Sequence, residues 1–175
     1  MNFKELKALQ ALGAFAYAGN VGVFILAPFG WVIDASRRPG YVATLYQRGL
    51  DLNSAGKNRE WMYINFWGKD SVAPTLKALV DKQEADLLKE FASAKIEYLP
   101  CAKREKYQTL IRRMDEKSYP TSEYTGFIEF EDFIFFCVMF SPIESEKRNL
   151  RKLEYVLQTV LPVRVNQPDA SPKAS

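Results

Sequence analysis

From Ala8 to Ile33 the chain carries no charged residue, and this run limits what the rest can be more than any other feature. As a helix, its apolar part from Ala11 to Ile33 would reach about 35 Å, slightly more than the roughly 30 Å hydrocarbon core of a bilayer. Lys4 and Lys7 precede the run, and Asp34, Arg37 and Arg38 follow it. This pattern predicts a single transmembrane anchor over residues 1–39, with its helix at about 8–33. In such a helix Ala14, Ala18 and Gly22 form a small-xxx-small seam for another helix, with Asn20 supplying an amide in mid-span. Pro28 would kink the span and Trp31 would sit at the interface.

Two competing readings fit the same residues. Ala16-Tyr17-Ala18 has the small-x-small form of a signal-peptide cleavage site, but Glu5 interrupts the basic region and the apolar run continues well past it. Val21 to Ala27 also reads as a buried strand, rich in β-formers, with Gly19, Asn20 and Gly22 at its start and Pro28 and Gly30 after it. The strand reading leaves Ala11 to Ala18 as a further apolar segment in need of cover.

Composition adds limits. Of 175 residues, 24 are basic and 21 acidic, a net charge of +3 that predicts neither a nucleic-acid partner nor a polybasic lipid surface. There is no histidine, so the commonest general base and transition-metal ligand are absent. Cys101 and Cys137 are too far apart for a CxxC motif and read as two buried thiols. Gly56-Lys57 lacks the spacing of a phosphate loop, and Asn58 stands where Ser or Thr belongs.

After the break at Pro39-Gly40, residues 40–167 read as one α+β domain and 168–175 as a flexible tail. Val42, Leu45 and Tyr46 have the spacing of a short helix, and Trp61 to Trp67 reads as a strand. Leu76, Leu79, Val80, Leu87, Leu88 and Phe91 recur at helical intervals, predicting an amphipathic helix within 71–92. Lys95 to Leu99 alternates as a strand. A second helix is expected over 102–117, burying Tyr107, Leu110, Ile111 and Met114 and exposing Lys103, Arg104, Arg112 and Arg113. Together with Arg37 and Arg38, those four form the candidate patch for a partner or acidic lipid. A long central strand is expected over 127–140. Ser141, Pro142 and Glu144 then read as a capping box opening a helix to about Val160, and 163–165 as an edge strand.

That order of elements predicts a small ferredoxin-like α/β sandwich behind the anchor. The function expected from the architecture is that of a non-catalytic, single-pass accessory subunit of a membrane complex, such as an energy-converting complex of the mitochondrial inner membrane. Its partners would be other subunits and the lipid bilayer, with no cofactor, no metal, no nucleic acid and no identified small-molecule substrate. The alternatives are a bacterial envelope component for secretion or pilus assembly, on the bacterial inner membrane, or a water-soluble α+β binding protein. For an enzyme, only Glu129, Glu131, Lys95 and Tyr98 offer candidates, and no catalytic set is expected from their spacing.

Overall fold

The computed structural model describes residues 13–18, 21–35, 40–49, 60–70, 72–142 and 146–164. Ten strands and two helices are placed there: β1 (Gly13–Ala18), β2 (Val21–Leu26), β3 (Trp31–Asp34), β4 (Ala43–Gln47), β5 (Trp61–Gly68), α1 (Leu76–Glu90), β6 (Lys95–Leu99), β7 (Gln108–Asp115), β8 (Thr121–Glu129), β9 (Phe133–Pro142), α2 (Glu146–Thr159) and β10 (Leu161–Arg164). Seven strands form one sheet in the order β3-β4-β5-β9-β8-β7-β6, and three form another in the order β1-β2-β10. Every described pairing is antiparallel.

The described part of the uncharged run is therefore two strands, a turn over 27–30 and most of a third strand, and the expected helix at about 8–33 is overturned. Phe15 lies opposite Phe24 in the β1–β2 hairpin, and Leu161 lies opposite Phe24 from the other side. None of the described helices is long and apolar enough to cross a membrane, which corrects the single-pass anchor and the membrane placement built on it. Ala14 and Ala18 share a face of β1 with the buried Ala16. Gly22 stands across from Tyr17, whose side chain points to the opposite face, so the three small residues form no common seam. Asn20 lies outside the described residues.

One face of the seven-stranded sheet carries the main core. Leu45, Met62, Ile64, Tyr124, Phe135 and Met139 meet Leu153, Val156 and Leu157 of α2 there, with Val23 and Ile25 of β2 completing the cluster. Each fully buried large apolar side chain contributes about 1.5–3 kcal/mol. At Gly126 a side chain would collide with Leu157, since a Cβ there would stand 2.6 Å from Leu157 Cδ1; the glycine lets α2 settle onto β8. The opposite face carries a smaller core, in which Leu76, Leu79 and Val80 of α1 cover Phe127 and Ile134. β9 is covered on both faces, which explains its nearly unbroken apolar sequence.

The ferredoxin-like expectation fails at three places. Residues 43–47 and 108–115 are strands, not helices, and the expected single strand over 127–140 is a hairpin of β8 and β9 turning at 130–132. Ser141 lies at the end of β9, where its hydroxyl accepts from Asn149 of α2 and donates to the Pro142 carbonyl. The Glu144 of the expected capping box, and the tail 168–175, fall outside the described residues.

Candidate binding groove

Between α1 and the β6–β7 hairpin lies a groove of about 740 Å³, with Leu76, Val80, Tyr107 and Leu110 as its apolar floor and Lys77, Asp81, Tyr98 and Lys103 at its rim. Both walls are fixed locally. Thr75 is the N-cap of α1, its Oγ1 accepting from the Ala78 N–H at 3.2 Å. Glu129 at the end of β8 holds the same helix end, accepting from the Leu76 N–H at 3.3 Å and pairing with Lys69 at 2.9 Å. On the other wall, Arg104 donates through Nη1 to the carbonyls of Leu157 and Val160, at 2.9 and 2.8 Å. These are carbonyls at the C-terminal end of α2, where a cation is favoured. Burial lowers the Arg104 pKa below its usual range, the nearby Tyr107 acting in the opposite direction.

The groove's polar groups are largely committed. Lys77 is paired with Asp81, and Tyr98 donates its hydroxyl to Glu84. Burial first, and then Glu84, push the Tyr98 hydroxyl up to about 12, which leaves it a proton donor at neutral pH. Thr109 donates to the Ala102 carbonyl at 3.3 Å. Lys103 is exposed and, among the described residues, has no ion pair. The site can therefore seat an apolar group and offer one ammonium at its rim.

Of the residues singled out from sequence, the fold gathers Tyr98, Lys103 and Arg104 here and sends the others elsewhere. Arg112 is only 2% exposed. It lies 5.5 Å from the Phe127 ring, with Nη2 3.4 Å from Thr125 Oγ1 and 3.6 Å from Glu123 Oε1. Its Nε and Nη1 have no hydrogen-bond partner, so it is no part of a surface patch. Arg113 pairs with Asp115 at 2.9 Å. Arg37 and Arg38 lie outside the described residues.

The enzyme candidates do not converge. Glu129 stands opposite Gln108 at one end of β7, and Lys95 stands opposite Asp115 at the other, about 24 Å away along the strand. Glu131 is exposed in the β8–β9 turn. No group of three or more His, Cys, Asp or Glu side chains placed to hold a metal occurs among the described residues. Of the two thiols, Cys137 is buried and Cys101 half-buried, and burial raises the pKa of both. Sequence reasoning missed Lys77 and the role of Leu110 as floor. Thr109, Ile111 and Arg113 on one face of β7 and Leu110 and Arg112 on the other mix polar and apolar residues, so no alternation marks the strand.

No protein-family model matches the chain, and no curated protein matches it. Among solved structures it is similar to the solution structure of cyanobacterial PsbP (CyanoP) from Synechocystis sp. PCC 6803, with a TM-score of 0.54 and 14% sequence identity over 86% of this chain and 92% of that one. At that identity the likeness is one of fold, and it places the chain with a β-rich architecture in place of an anchored ferredoxin-like sandwich.

Proposed function

We propose that this chain is a non-catalytic binding protein that works as an accessory member of a protein assembly, receiving an apolar segment of its partner in the groove between α1 and the β6–β7 hairpin. One observation carries the reading: the groove is roomy and apolar at its floor, while Lys77, Asp81, Tyr98 and Arg104 around it are spent on carboxylates, an ammonium or helix carbonyls. Such a lining suits recognition, because the acid–base groups around it, Lys77 with Asp81 and Tyr98 with Glu84, are held on one another. Lys103 is then the group that orients the occupant.

A benzoyl-phenylalanine cross-linker at Lys77, on the rim, tests this in source cells after gentle extraction. The expected result is a cross-linked species well above the 20.1 kDa of the chain, reduced when Lys103→Glu and Tyr98→Glu are added, with no such product from a probe at Lys117 between β7 and β8. Migration of the unmodified protein at its own mass under the same gentle conditions, with no cross-link from position 77, contradicts the proposal.

A further inference from the structure

A second cleft, of about 590 Å³, lies between the turn joining β2 to β3 and the outer side of α2. The Trp31 backbone N–H donates to the Pro28 carbonyl at 2.9 Å, and Gly30 between them has φ +79°, the geometry of a type II turn. The Arg48 N–H donates to the Gly30 carbonyl at 2.9 Å, which ties the turn to the end of β4. This rigid turn holds Phe29 entirely in solvent, at 106% relative exposure. Tyr155 of α2 is exposed across the cleft.

Among the described residues, the charge lining this cleft has one sign. Arg48, Arg151 and Lys152 line it, with no acidic residue among the described residues of the lining. Lys152 is committed, lying 5.2 Å from the Trp31 ring and donating to Glu60 and Asn149. Glu60 is also committed, since Arg148 donates to it at 3.1 Å. Arg48 and Arg151 have no carboxylate partner among the described residues.

We propose that this cleft is a docking site for an acidic peptide segment of a partner protein, its carboxylate taken by Arg48 and Arg151 and its apolar side chain laid against Phe29, Trp31 and Tyr155. Guanidinium groups match carboxylates in a planar, two-bond geometry, and aromatic walls beside them supply the apolar anchor that peptide hot spots use. A nucleic-acid strand would need a basic track running past the cleft, and 24 basic against 21 acidic residues in the chain give no such surplus. The site is separate from the groove beside α1 and stands whether or not that groove is occupied.

Selection of random octapeptides displayed on phage, first on the wild-type protein and then against the double variant Arg48→Glu/Arg151→Glu, tests the assignment. The expected winners carry Asp or Glu next to Phe, Leu or Trp. They bind the double variant and Phe29→Ser about tenfold or more weakly, and bind Lys103→Glu as well as wild type. Unchanged melting of the variants shows that they still fold. Winners without acidic preference, or binding the double variant within about twofold of wild type, overturn the proposal. Tighter binding of a short oligothymidylate than of any peptide, abolished by the same double variant, also overturns it and assigns the cleft to phosphate.

Discussion

Gly126 shows how one missing side chain sets the distance between α2 and the large sheet. A methyl group there would stand 2.6 and 2.9 Å from the two Leu157 methyl carbons, so Gly126→Ala is expected to cost about 1–3 kcal/mol in urea unfolding. Adding Leu157→Ala should make the effect of Gly126→Ala smaller than in the wild-type background, and additive losses would mean that the contact is not the cause. Glu60 makes a pH prediction. Burial works to raise its carboxyl, but the hydrogen bonds and charges of Lys152 and Arg148 outweigh it and hold the pKa below the usual 4.5. A lowered folded-state pKa contributes stability above pH 4.5 that disappears as pH falls through the lowered value. Glu60→Gln should therefore cost about 1.5–3 kcal/mol at pH 7 and much less in strong acid, as read from denaturant midpoints across pH. Glu123 has the opposite sign: burial raises its carboxyl above the usual range despite the pull of Arg112 and the Thr125 hydrogen bond. Replacing both members of that pair, as Arg112→Met with Glu123→Gln, is expected to be neutral or to stabilise by about 1–4 kcal/mol, because Nε and Nη1 of Arg112 are unpaired. A large loss in the double variant, by thermal melting, would show that the pair holds the sheet together.

Among the elements, α1 was legible because Leu76, Leu79 and Val80 repeat at helical spacing against one sheet face while its other side is charged. Thr75→Ala should remove about 1 kcal/mol from the protein by deleting the helix cap, with the circular-dichroism spectrum of the native state unchanged. β7 was not legible. Tyr107, Leu110, Ile111 and Met114 fit a helix stripe, yet Leu110 joins the core under α1 while Ile111 joins the core under α2. A strand covered on both faces loses the alternation that would identify it, and the buried Arg112 looked like a solvated charge. The groove shared that fate, since its second wall is built from this same hairpin. Tyr98 and Lys103 were singled out for other reasons, and only the hairpin brings them opposite Lys77.

At the scale of the whole molecule, a lack of charge shows that a segment avoids water without showing what replaces it. Hydrocarbon and a protein core select the same side chains, and the decisive facts are long-range: β10, more than a hundred residues further along, pairs with β2, and α2 covers Val23 and Ile25 from within the chain. No local pattern in residues 13–26 carries that information. The run also keeps an apolar outer surface, with Phe15, Tyr17 and Leu161 exposed on the three-stranded sheet, which is why its sequence never alternates cleanly with polar residues. The sheet assignment of the uncharged run is tested most directly by proton nuclear Overhauser contacts at Phe24. Cross-strand backbone contacts from Phe24 to Phe15 and to Leu161 are expected. Strong successive amide–amide contacts through residues 21–26, with no contact to Leu161, would contradict it.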